Sequence, residues 1–124
     1  MKLRISGNSI RLRLSQRDVN LLVAEGQIAE KLDFPSPALA FEYHLSILKS
    51  SDIAQAMFDG QKMIFKIPQR EVTNWANSNQ EGIYKTIDIK NSQVLDLQIE
   101  KDYKCLHKDD DENDTFPNPR EEGK

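Results

Sequence analysis

Apolar residues recur along this chain in two rhythms, one of every second position and one of every third or fourth. Leu3 and Ile5, then Ile10, Leu12 and Leu14, alternate with polar residues on either side of Ser6-Gly7-Asn8-Ser9, which predicts two strands joined by a tight turn. Ser15 stands where a helix N-cap belongs, with Asp18 three residues on, and Val19, Leu22 and Val23 give the stripe of a helix lying on a sheet. Gly26 ends or interrupts that helix, and Phe34-Pro35-Ser36-Pro37 breaks the chain. Leu39, Phe41, Tyr43, Leu45 and Ile47 then alternate with Ala40, Glu42, His44 and Ser46 in a long strand that turns at Lys49-Ser50-Ser51-Asp52. The run from Ile53 to Phe58 and the run from Lys62 to Ile67 flank Asp59-Gly60 as a hairpin. Pro68 opens a second helix presenting Val72, Trp75 and Ala76. Ile83 to Ile89 and Val94 to Glu100 close the pattern as a last hairpin around Lys90-Asn91-Ser92-Gln93.

Laid on itself with an offset of 53 residues, the chain sets Gly7 on Gly60, Ile10 on Met63, Leu12 on Phe65 and Leu14 on Ile67. The match continues through Gln16-Arg17-Asp18-Val19 on Gln69-Arg70-Glu71-Val72, so turn glycine, strand phase and helix stripe agree together. This predicts an internal ββα duplication, with pseudo-repeats at 1–26 and 54–79. The expected fold class is α+β: a ββα unit, a three-strand meander, a second helix and a closing hairpin. Such an order builds a mostly antiparallel sheet with two helices on its apolar face, or alternatively a partly closed barrel.

Composition narrows the class further. The 124 residues suit one domain, read as residues 1–106, with 107–124 as an acidic, flexible tail. Cys105 is the only cysteine, so neither an intramolecular disulfide nor a Cys₄ zinc site can form. No continuous apolar run resembles a secretion signal or a membrane span, which leads to a cytoplasmic expectation with no membrane partner. The net charge is −3, but three cations against seven carboxylates in 107–124 leave residues 1–106 at about +1. A nearly neutral fold lacks the broad positive field of a general nucleic-acid binder.

Charge is nevertheless concentrated in one place. The turn at Gly7 sets Ile5 opposite Ile10, Arg4 opposite Arg11 and Lys2 opposite Arg13, so that four cations share one strand face. Like charges so placed need neutralising, either by carboxylates such as Glu42, Asp88, Asp96 or Glu100, or by a bound anion. In the second pseudo-repeat the same positions hold Gln55, Met57, Ile64 and Lys66, so the scaffold does not require the charges. Lys2, Arg4, Arg11 and Arg13 are therefore the candidate site for a phosphate or carboxylate group, on a small ligand or a protein partner. Neither a Gly-rich phosphate loop nor an aromatic stacking platform accompanies them in sequence, which argues against nucleic acid.

A second candidate is Cys105-Leu106-His107, where an extended backbone points a thiolate and an imidazole the same way, as zinc, copper or nickel would need. His44, or the carboxylates Asp109, Asp110 and Asp111, would have to complete the set; the plainer reading is a small apolar cysteine ending a strand. Asp109, Asp111 and Asn113 open like a calcium loop, but Asp114 stands where glycine is needed and Arg120 where a bidentate glutamate is. No nucleophile elbow or triad spacing is present, and Glu42 with His44 is an acid/base pair of the kind any polar strand face offers.

The segment from Leu3 to Leu14, with Ile99 to His107 and Phe116-Pro117-Asn118-Pro119, resembles a family of small uncharacterised bacterial proteins known only as a domain of unknown function. The resemblance spans nearly the whole chain and implies no activity or catalytic residue. The expected role is a cytoplasmic binding or accessory domain that engages an anion through the first hairpin, without catalysis. The alternative is a transition-metal protein, or a metal-dependent enzyme, using Cys105 and His107.

Overall fold

Gly7, at φ 57°, reverses the chain between β1 (Lys2–Ser6) and β2 (Ser9–Leu14), a conformation that costs glycine little. The computed structural model describes residues 1–36, 39–103 and 116–117. The hairpin register is the predicted one, with Arg4 opposite Arg11 and Lys2 opposite Arg13. Ser15 then caps α1 (Gln16–Glu25) with a full capping box: its hydroxyl accepts from the Asp18 N–H at 3.1 Å, and the Asp18 carboxylate accepts from the Ser15 N–H at 3.0 Å. Burial alone would raise the Asp18 carboxyl. Hydrogen bonds from the Met1 ammonium at 2.9 Å and from Ser15 outweigh it and hold the carboxyl below its ordinary value.

Gly26, left-handed at φ 82°, ends α1 and delivers the chain straight into β3 (Gln27–Asp33). Sequence periodicity placed no strand there, because Ile28 and Leu32 are the only large apolar residues among seven. β3 forms instead by pairing antiparallel with β4 (Ala40–Leu48) along its whole length, from Gln27 opposite Ser46 to Asp33 opposite Ala40. Then follow β5 (Gln55–Phe58), β6 (Lys62–Pro68), α2 (Gln69–Ala76), β7 (Gly82–Asp88) and β8 (Val94–Lys101).

The class is α+β with mostly antiparallel pairing, and the described strands divide into two four-stranded sheets ordered β1-β2-β8-β7 and β3-β4-β6-β5. Neither sheet closes into a barrel. Each has a parallel pair at its centre, β2 with β8 and β4 with β6, flanked by antiparallel hairpin partners. The expected meander from β4 through β5 to β6 is therefore corrected: β4 lies directly against β6, and β5 takes the outer edge. Burial explains the order, since β4 and β6 contribute Leu45, Phe65 and Ile67 to the core, whereas four-residue β5 exposes Met57 and Phe58.

Chain order reads ββαββ twice, and the hairpins β1–β2 and β5–β6 occupy matching places in the two sheets. Each helix carries the chain from one sheet to the other, α1 from β2 to β3 and α2 from β6 to β7. A single apolar cluster joins both sheets and both helices, drawing on Leu12 and Ile99 of one sheet, Leu45 and Phe65 of the other, Leu22 of α1 and Trp75 of α2. Trp75 is fully buried, and its indole N–H donates to the Glu81 carbonyl at 3.1 Å, so the largest core side chain leaves no polar atom unsatisfied. Among the described residues no helix is long and apolar enough to cross a membrane.

Candidate anion-binding face

Alternation along β2 buries Ile10, Leu12 and Leu14 and turns Arg11 and Arg13 to the opposite face of the sheet. The hairpin adds Lys2 and Arg4 on that face. What lies on the other side of β2 is set by the parallel pairing with β8, which puts Gln98 beside Arg11 and Glu100 beside Arg13. β7 then places Tyr84 opposite Gln98 and Gly82 opposite Glu100. The outer face of this sheet thus carries two cross-strand rows, Lys2–Arg13–Glu100–Gly82 and Arg4–Arg11–Gln98–Tyr84.

Glu100 is the hub. Although it is on the outer face, it is only 8% exposed, because its neighbours lie over it. Its Oε2 accepts the Tyr84 hydroxyl at 2.8 Å, and its Oε1 lies 3.5 Å from Arg11 Nε and 3.8 Å from Arg13 Nε. Arg11 Nε also donates to the Gln98 side-chain carbonyl at 3.1 Å, while Arg13 Nε is buried without a hydrogen-bond partner among the described residues. Burial first, then the hydrogen bond and charge of Glu100, push the Tyr84 phenol up to about 12. At the end of the row Lys2 Nζ pairs with Asp102 at 3.0 Å, and the Asp102 N–H ties β8 to the Leu14 carbonyl at 2.8 Å.

Glu100 thus pairs with Arg11 and Arg13, and Asp102 with Lys2, while Arg4 has no carboxylate partner among the described residues. Lys2, Leu3, Arg4, Arg11 and Arg13 line a cavity of about 160 Å³. Of the four carboxylates expected to neutralise the arginines, only Glu100 does so. Asp96 is on the same face but accepts from the Thr86 hydroxyl at 3.4 Å, Asp88 sits at the far end of β7 opposite Val94, and Glu42 is on the other sheet. Sequence reading missed Gln98, Tyr84 and Asp102 as members of this face. No local signal marks them, since parallel β2–β8 pairing joins residues more than eighty apart.

The other candidates do not converge on this face. His44 Nε2 is bonded to Glu42 Oε1 at 2.9 Å on the outer face of the second sheet, as their spacing in one strand predicts. Cys105 and His107, with Asp109, Asp110 and Asp111, lie outside the described residues, among which there is no group of three side chains able to hold a metal ion.

No curated protein and no solved structure matches the chain. Residues 1–120 of the 124 match a family of unknown function (DUF7009), and the chain belongs to that family.

Proposed function

We propose that the protein is a cytoplasmic binding or accessory domain whose basic hairpin face takes a small anionic group, a phosphate or carboxylate, between Arg4, Arg11 and Arg13. The observation that carries this reading is the cavity of about 160 Å³ lined by Lys2, Arg4, Arg11 and Arg13, of which Arg4 meets no carboxylate among the described residues. A guanidinium fork suits such an anion better than an ammonium does. The matching hairpin of the other sheet supports the same view. There Met57 faces Ile64 and Gln55 faces Lys66, so an internal duplication would have kept the scaffold and added the cations on one side only.

The test is a titration of ¹⁵N-labelled protein with inorganic phosphate and with sulfate at low ionic strength. Amides of β1 and β2 should shift, and Arg4→Gln with Arg11→Gln should weaken binding by at least about tenfold, the loss expected for charge-assisted hydrogen bonds. Raising the salt should weaken it as well. Shifts spread evenly over the surface, or equal binding by the double variant, would remove the reading.

A further inference from the structure

The basic face continues past the arginines. At about 4.8 Å per strand, β2 lies roughly 10 Å from β7, so Arg11 and Tyr84 stand at the two ends of a short platform with Gln98 between them. Gly82 determines how Tyr84 lies. A Cβ at Gly82 would be 2.7 Å from the Tyr84 hydroxyl oxygen and 2.8 Å from its Cζ, which means that the ring reclines along β7 over the bare glycine backbone. Its hydroxyl is pinned to Glu100, and the residue is still 56% exposed. A held aromatic ring on a sheet face, open to solvent beside guanidinium groups, is what a stacked base requires.

We propose that this face binds a nucleoside phosphate, with the phosphate between Arg4, Arg11 and Arg13, the base stacked on Tyr84, and the Gln98 amide reading the base edge. The proposal rests on the anion-binding reading and names its ligand class. Gln98 spends its carbonyl on Arg11 Nε and so keeps its NH₂ donors for an acceptor on the base. Arg4 brings charge that no described carboxylate neutralises. A phosphopeptide or a simple dicarboxylate would engage the arginines and make no use of the ring. The nucleoside phosphate can be a free nucleotide or one unit of a single strand, since both present the same pair of groups.

Calorimetric titrations of the full chain with AMP, adenosine, inorganic phosphate and a short oligoadenylate test this. AMP should bind at least about tenfold more tightly than phosphate, the gain of one stacked base. Tyr84→Leu should bring AMP affinity down to that of phosphate for the same variant, whereas Tyr84→Phe, which keeps the ring and loses the Glu100 bond, should retain most of the gain. Oligoadenylate binding well above AMP identifies a strand as the source, and equal affinities identify the free nucleotide. If phosphate binds and AMP binds no better, or the gain survives in Tyr84→Leu, the nucleotide proposal falls and the anion reading stands. If neither phosphate nor AMP binds, both fall. Circular dichroism of each variant checks that the sheet is intact.

Discussion

Replacing Glu100 by Gln removes one negative charge from between two guanidinium groups and leaves side-chain volume almost unchanged. The amide oxygen can still accept the Tyr84 hydroxyl now held at 2.8 Å, so what is lost is the ionic part, at 3.5 Å to Arg11 and 3.8 Å to Arg13. Breaking a fully buried pair costs about 3–5 kcal/mol, and an exposed one about 0–1 kcal/mol. The Glu100 side chain is 11% exposed, but those of Arg11 and Arg13 are 22% and 27%, so water screens the guanidinium end. An intermediate cost of about 1–2 kcal/mol follows, which for a domain of this size lowers Tm by roughly 4–15 °C. The assay is thermal unfolding followed by circular dichroism near neutral pH, with and without about 1 M salt, where screening should shrink the difference. A second readout separates function from stability. With the carboxylate that pairs with two of its lining arginines gone, the cavity should bind inorganic phosphate several-fold more tightly. An unchanged or higher Tm together with unchanged phosphate affinity would refute the assignment of Glu100 as the counter-charge of this face.

Gly82→Ala should lift the Tyr84 ring, because the new Cβ also meets the Ile99 backbone oxygen at 3.0 Å and cannot retreat. The phenol, pushed up to about 12 in the folded protein, should then titrate nearer its ordinary 10 in an ultraviolet absorbance titration. An unmoved titration would mean that the ring is not seated on Gly82. In the wild type the folded state keeps this proton after unfolded chains have released it, so the Tyr84 contribution is complete below pH 10 and declines as pH rises toward about 12. Asp18 works in the opposite direction. Its folded carboxyl is held below 3.8, so the stability its ionised form adds is present above that pH and is lost as pH falls through the folded value. Ser15→Ala should cost about 1 kcal/mol near neutral pH, and Asp18→Asn should flatten the acid limb of a Tm-against-pH series. Parallel acid limbs in wild type and Asp18→Asn would count against the capping box as the source.

Short-range features were legible in the sequence because their causes are short-range. The first hairpin register, down to Arg4 facing Arg11, follows from a two-residue turn and a period of two, and the start of α1 follows from Ser15 and Asp18. The pairing of Glu42 with His44 likewise needs only one strand. β3 was not legible, since a strand with Ile28 and Leu32 as its only large apolar residues forms because β4 offers it an edge to pair with. The meander misled for a related reason: succession in the chain suggests adjacency, whereas the core placed the two most apolar strands together and sent β5 to the rim.

The candidate site divides along the same line. Sequence by itself determined which cations share a face, because a hairpin carries its own register. Tertiary structure alone decided what surrounds them, since only the parallel pairing of β2 with β8 brings Gln98 and Glu100 beside the arginines, and only β7 beyond it adds Tyr84. Parallel pairing leaves no local trace, as its partners are joined by long crossovers and held by burial on the opposite face. Hence the four cations could be read from the chain, while their counter-charge and the aromatic neighbour that suggests a ligand came from the fold.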